Sequence, residues 1–442
     1  MTVAIEHPIR RVLNDELHAR KFNNFDGTGR FIRYVYFTQG DDKLLMRHVN
    51  EMLVKLKLPE MAADVKFVRL EADGYAIRVE RHTEFMSVSL IDIDEVSSAS
   101  VPKGAFDESA YPHLPFQLIR DLKHPLFHAM WLEISNSPAR KPNAAAMEKI
   151  LQGRAVAGSQ ISSGGGQLYC SFDIDDADYS RMVLFNKSIA GHRMGRVIQR
   201  AIEMETYRLI ALLSLPKVKQ FSPVLDRIEE NLRKASSALS KAHQINEASQ
   251  SVEEADKLLA SLTSLAAELE QVYAETSYRF SAGNAYQEIV TARLFALSTQ
   301  RLDGFQSIRG FLDKRMMPAM QSANAFSGRM ERLSRRIAYA GQLQRSQTEL
   351  ALQKQNRDLL MSMNKRTSAQ LRLQQTVEGL SIAAVTYYGV GLVGYFANGF
   401  PLADWGIDLI VLKTIAVPVI AFLVWRNIRH VSDALQARKA PD

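Results

Sequence analysis

The chain has 442 residues, 46% of them hydrophobic and 23% charged, with a formal net charge of +7 and one cysteine. That length suggests about three domains of roughly 150 residues, and the apolar share excludes an intrinsically disordered chain. The lone Cys170 excludes an internal disulfide framework and fits a reducing compartment.

The N-terminus, "MTVAIEHPIRRVLNDEL", carries charge too early to supply the apolar run of a cleaved signal peptide. Glu16, His18 and Arg20 of "NDELHAR" follow, either as ligand contacts or as a network between domains. Residues 1–217 read as an α/β domain. Its strand candidates are "FIRYVYFTQ", "VKFVRLEA", "YAIRVERH", "FMSVSLIDID", "FHAMWLEIS" and "GGQLYCSFDID", all rich in β-branched and aromatic residues. Asp73-Gly74 predicts a hairpin turn between the second and third of these. In "ERHTEF", alternation predicts Glu80, His82 and Glu84 on one strand face, a conceivable metal or acid/base set set against a plain paired surface. His124 and His128 are four apart, but Pro125 and the missing Glu exclude a metalloprotease-type helix. No nucleophile, base and orienter occur in an order that points to a hydrolase, so no enzyme and no cofactor are expected. "SSGGGQ" (Ser162 to Gln167) lacks the Lys-Ser/Thr of a phosphate loop and predicts a turn. A helix over Ile189 to Leu215 is expected to stop at Pro216.

Residues 218–375 predict a helical coiled-coil stalk. Leu225, Ile228, Leu232, Ala235, Leu239 and Ala242 alternate by three and four. Ile245 and Ala248 insert extra threes, a stammer, before the pattern resumes from Val252 to Leu269. A second helix is expected over Ala285 to Leu312 and a third after Pro318. No proline follows until Pro401, so the third helix and the next apolar segment predict one rod of about eighty residues, near 120 Å at ~1.5 Å per residue. Gln321 to Gln375 holds ten Lys or Arg against three acids. Without aromatic interleaving, zinc spacing or a helix-turn-helix pattern, this predicts contact with anionic lipid headgroups and no nucleic acid.

Residues 376–426 predict a two-span transmembrane hairpin, and 427–442 a tail. Gly379 to Phe400 is 22 residues without a charge, enough for roughly 30 Å of hydrocarbon. Leu409 to Trp425 is a shorter second span that includes Lys413 and Pro418. Lys365, Arg366 and Arg372 precede the first span and Arg426, Arg429, Arg438 and Lys439 follow the second, whereas the loop has neither Lys nor Arg. The positive-inside rule then places both termini and the soluble domain in the cytoplasm, at the inner membrane. "GVGLVG" matches a dinucleotide-binding pattern without its strand–turn–helix context, and its small residues predict close helix approach in lipid. Ala383, Thr386, Val390, Val393 and Ala397 share a narrow face that suits either a pore or a packed partner. Glu378 stands at the cytosolic entrance as an interfacial carboxylate or a ring of charge, and Asn398 at the far end offers an amide.

Five blocks carry a resemblance: "LNDELHARKF", "ERHTEF", "ETYRLIALLSLP", "RFSAGNAY" and "QLRLQQTVEGLSIAAVTYY". In this order they resemble the bacterial uncharacterised membrane-anchored proteins, domain of unknown function 3422. That resemblance implies an architecture and no chemistry. The layout is also similar to CorA-type magnesium channels, which implies a homo-oligomer, pentameric in that family, whose first span lines a path for metal ions. Their Gly-Met-Asn signature is absent, since the matching place reads Ala397-Asn398-Gly399. The fold expected is therefore α+β: an N-terminal cytosolic α/β domain, long antiparallel stalk helices and two C-terminal transmembrane helices. The function expected is ion permeation or, alternatively, anchoring of a scaffold or sensor without transport.

Overall fold

The computed structural model describes residues 7, 9–10, 24–38, 41–94, 100–138, 142–244, 252–399 and 409–437. They fall into two compact units, residues 1–241 with 260–340, and residues 242–259 with 341–442. In chain order the elements begin with β1 (Thr28–Phe37), α1 (Lys43–Lys55), β2 (Phe67–Glu71), β3 (Ala76–Arg81) and β4 (Phe85–Asp94). Next come α2 (Phe116–Arg120), β5 (Leu126–Asn136), α3 (Ala144–Leu151), β6 (Ala157–Ile161), β7 (Gly166–Ile174) and β8 (Tyr179–Asn186). Helices dominate the remainder: α4 (Gly191–Ala211), α5 (Ser214–Gln244), α6 (Val252–Ala296), the short β9 (Gln300–Arg301), α7 (Ile308–Asn398) and α8 (Leu409–Ala437).

In the first unit the strands form one sheet in the order β2-β3-β4-β1-β5-β8-β7-β6-β9. Each half repeats one chain plan: a first strand, a helix, then a three-strand meander whose last strand returns beside the first. The halves meet where β1 pairs antiparallel with β5, and β5 with β8 is a parallel pair. Both faces carry apolar side chains, so both must be covered. Leu45, Val49 and Leu53 of α1, Ile119 of α2 and Met147 of α3 cover one face, around the fully buried Trp131. Burying such a ring stabilises by ~1.5–3 kcal/mol. The other face is closed by α4, by Val290 and Leu294 of α6 and by Ile308, Leu312, Met316 and Met320 of α7. The result is a three-layer α/β/α sandwich.

Beyond the sheet, α5, α6 and α7 bury one seam each. Leu225, Ile228, Leu232 and Leu239 are buried on α5, Leu262, Leu269, Val272 and Phe280 on α6, and Met330, Leu333 and Ile337 on α7. The α5 residues are those the spacing by three and four selected. The stammer at Ile245 and Ala248 lies outside the described residues.

Several boundaries differ from expectation. Pro216 does not stop a helix: α4 ends at Ala211, and Pro216 sits in the first turn of α5. A proline there gives up no intrahelical hydrogen bond. The second long helix is α6, which runs from Val252 to Ala296 and is not confined to Ala285–Leu312. α7 starts at Ile308, ahead of Pro318, and continues without a break to Asn398. β6 and β8 carry strands where none was expected. The turn at Gly74 (φ +84°) and the turn through Ser162 to Gly164 are as predicted.

Candidate functional site

Three of the buried polar clusters among the described residues of the head involve residues singled out above. β1, β3 and β4 lie side by side, with Arg33 and Arg78 both opposite Ser89. Glu80, one register step away, forms an ion pair with Arg33 and accepts from Arg78 Nη2 at 2.7 Å. Burial opposes the carboxylate charge, but Arg33 and then Arg78 hold its pKa down to about 2. Glu80 is therefore a fixed anion between two guanidinium groups.

Glu84 lies past the end of β3, in the turn to β4, and is buried. It pairs with Arg279 of α6 and accepts from Tyr286 Oη at 2.8 Å. Burial, then Glu84, raises the Tyr286 pKa and keeps the phenol protonated. His82 lies in the same turn, stacked on Phe85 with ring centroids 4.0 Å apart, and Tyr207 stacks on Tyr286. "ERHTEF", "ETYRLIALLSLP" and "RFSAGNAY" thus meet at one place. Gly283 explains the small residues of the third block. A side chain there would meet the Ala211 carbonyl oxygen at 3.2 Å and Met320 Cε at 3.3 Å.

In the third cluster, Arg208 grips the buried Glu205 through two hydrogen bonds of 2.8 and 2.6 Å. His128 Nε2 stands 3.9 Å from Glu205 and 3.4 Å from Ser180 Oγ. Burial pushes the His128 pKa down to about 4 against the pull of Glu205, so the ring is neutral at neutral pH. Burial likewise raises the Cys170 thiol. The serine–histidine–glutamate order invites a catalytic reading, but all three side chains are buried.

Glu80, His82 and Glu84 therefore do not share a strand face, and each has its own neighbours. Among the described residues no group of three His, Cys, Asp or Glu could hold a metal ion. His18 and Arg20 lie outside the described residues. The partners Arg33, Arg78, Arg279 and Tyr286 were not singled out from the sequence. The one available signal was an arginine at an inward position of "FIRYVYF" and of "YAIRVE".

The second unit holds the apolar end of α7. Its mean hydropathy reaches 1.5 over an 18-residue window, and among the described residues α7 is the one helix long and apolar enough to cross a membrane. α8 is helical over the expected second span, with Pro418 inside it. The two helices approach through glycines. A Cβ at Gly389 would lie 3.0 Å from Ile420, and one at Gly394 would lie 2.6 Å from Lys413 Cε. "GVGLVG" is thus a packing surface within a helix. Val390 and Val393 are half-buried on that side and Ala397 is buried. Thr386, also half-buried, donates to the Ile382 carbonyl at 2.6 Å. Ala383 and Asn398 are exposed, and the half-buried Glu378 accepts from Gln374 Nε2 at 3.3 Å. At about 100° per residue, Ser381, Ala384, Tyr388, Gly391 and Tyr395 take the opposite side. Tyr388 and Tyr395 there are 71% and 83% exposed.

These features define an α/β/α sandwich with long helices, one of them long and apolar enough to cross a membrane. The chain belongs to the family described as "protein of unknown function (DUF3422)", whose family model matches residues 5–435. No curated protein matches it.

Proposed function

We propose that the protein is a membrane-anchored homo-oligomer that lets ions cross the inner membrane along its assembled α7 helices, with α8 as the second span and the head in the cytoplasm. The observation that carries this reading is α7 itself. One helix supplies Ile308, Leu312, Met316 and Met320 to the head core and runs unbroken into the uncharged stretch that ends at Asn398. The layout of α/β head, long stem helices and two C-terminal apolar helices is similar to that of CorA-type channels. The basic residues flanking both apolar helices support the orientation. Because Thr386, Val390, Val393 and Ala397 turn toward α8, the path falls to the opposite face. Ser381, Tyr388 and Tyr395 would offer neutral oxygens there to a hydrated cation.

The test is flux of magnesium and potassium into liposomes carrying the full-length protein. Permeation predicts flux that Gly391→Trp blocks and that Val390→Leu, on the α8 side, leaves near its starting value. Leak no greater than that of empty vesicles at high protein load would remove this reading. A second reading, a membrane-anchored scaffold or sensor, is favoured by the packing of the small-residue face inside the chain. It predicts that exchanging both apolar helices for unrelated spans preserves the cellular phenotype.

A further inference from the structure

Among the described residues nothing covers α7 over much of its length. Every residue from Ala351 to Val377 is exposed, although the segment is not uniformly polar. Leu352, Leu359, Met363, Leu373, Val377 and Leu380 are 48%, 56%, 63%, 67%, 57% and 72% exposed. Lone helices owe most of their stability to packing of one face, so a run of this kind is marginal in water without a cover. These six, of nine large apolar residues exposed between 352 and 380, share one stripe, while Leu360, Met361 and Leu371 fall at e, f and b. Written as heptads, Leu352, Leu359, Leu373 and Leu380 occupy d, with Arg366 as the fifth d residue. Asn356, Met363, Gln370, Val377 and Ala384 occupy a. The stripe then continues onto the face of the apolar segment that is turned away from α8.

The charges identify the occupant. Lys354, Arg357, Asp358, Lys365, Arg372 and Glu378 all fall at b, c or f, away from the seam. The flanking e and g positions from Gln353 to Ser381 carry none: Gln353, Gln355, Leu360, Ser362, Thr367, Ala369, Gln374, Thr376 and Ser381. In coiled coils e and g set partner choice and orientation. Neutral e and g residues impose no penalty on identical helices lying side by side, whereas an acidic or basic partner would find nothing there to pair with. A partner must also run with α7 toward the bilayer. A second copy of this chain meets both conditions.

We propose that α7 residues 352–384 form a parallel, in-register coiled coil with the same segment of other copies, with leucine at d and a ring of Arg366 as the one charge turned toward the axis. This rests on the membrane-anchored, homo-oligomeric part of the reading above and needs no permeation, so the two can fail separately. It also places the basic residues of this segment: Lys354, Arg357, Lys365 and Arg372 point outward, toward lipid headgroups, and Arg366 forms one ring at the axis.

Disulfide trapping of the full-length protein in native membranes tests this. The native Cys170 is 1% exposed and its thiol is raised by burial, so single introduced cysteines report alone. Met363→Cys, Leu373→Cys and Val377→Cys should each cross-link to a species of twice the chain mass on mild oxidation. Met361→Cys and Leu371→Cys, each 49% exposed but at f and b, should cross-link at least several-fold less, because only seam positions approach within the ~7 Å that a disulfide spans. Arg366→Leu should let the assembly survive dilution about tenfold further, a change of about 1.4 kcal/mol, since the apolar side chain removes the cost of burying a charge at the axis. Equal trapping at all five positions, no trapping, or adducts whose mass is not a multiple of the chain would overturn the proposal. So would an assembly weakened by Arg366→Leu. Trapping at the seam together with absent ion flux would keep the coiled coil and remove permeation.

Discussion

Glu80→Gln keeps the shape of the side chain and removes its charge. Glu80 is 3% exposed and pairs with Arg33 and Arg78, themselves 3% and 2% exposed. The change leaves two guanidinium charges facing each other in the sheet. Breaking a buried pair in this way costs ~3–5 kcal/mol. A second route agrees: the carboxyl falls from 4.5 to about 2, and at ~1.4 kcal/mol per unit that is about 3 kcal/mol. The melting temperature of the full-length protein in detergent should drop by roughly 10 °C, at about 2–4 °C per kcal/mol. Arg33→Met, Glu80→Leu and Arg78→Met together should recover most of that loss, because an apolar set leaves no charge unpaired. The sign with pH follows from a depressed folded pKa. The contribution is complete above 4.5 and disappears as pH falls through about 2. A Glu80→Gln melt within 2 °C of wild type would refute the argument that these charges depend on one another.

Tyr286→Phe removes the hydroxyl that donates to Glu84, at a cost of ~1.5–3 kcal/mol for a bond to a charged acceptor. Amide hydrogen exchange at Arg81–Phe85 should accelerate, and unchanged exchange would mean that the turn is held by other contacts. His128→Leu addresses acid sensitivity. The His128 pKa lies at about 4 in the fold against an ordinary 6.5, so the unfolded chain takes the proton first. Stability is complete above 6.5 and is lost toward pH 4 at up to ~1.4 kcal/mol per pH unit. The variant should lose less on acidification than wild type, in paired chemical denaturation curves at pH 7.5 and 4.5. Parallel losses would show that His128 already carries its proton in the fold.

The strands of the first half of the sheet were legible because "FIRYVYF" and "FMSVSLIDID" hold long β-branched and aromatic runs. β6 was not, since "AGSQI" is short and holds a glycine, and "YSRMVLFN" of β8 was overlooked beside the Asp-rich turn before it. The length of α7 could be read from an absence, since no proline interrupts it after Pro318. The start of α6 could not, because Gly283 and Asn284 look like breakers when they are a close-packing site. Pro318 misleads in the same way, since it lies within α7, and Pro216 sits in the first turn of α5, where it costs no intrahelical hydrogen bond. The polar clusters were least visible. Alternation shows that Arg33, Arg78 and Glu80 point into the protein, but only the strand register shows that they meet. On the apolar helix, spacing grouped Ala383, Thr386, Val390, Val393 and Ala397 as one face; Ala383 is exposed, and the other four are half-buried or buried beside α8. Which surface that face meets depends on α8, and the packing of two helices is not written in the period of one.

Both functional readings and the coiled coil depend on α7 entering the bilayer. The direct measurement is partition of the full-length protein after gentle lysis and an alkaline wash, beside a chain that ends at residue 375. The account predicts full-length protein in the washed membrane pellet and release of the shortened chain. Full-length protein in the soluble fraction would contradict it.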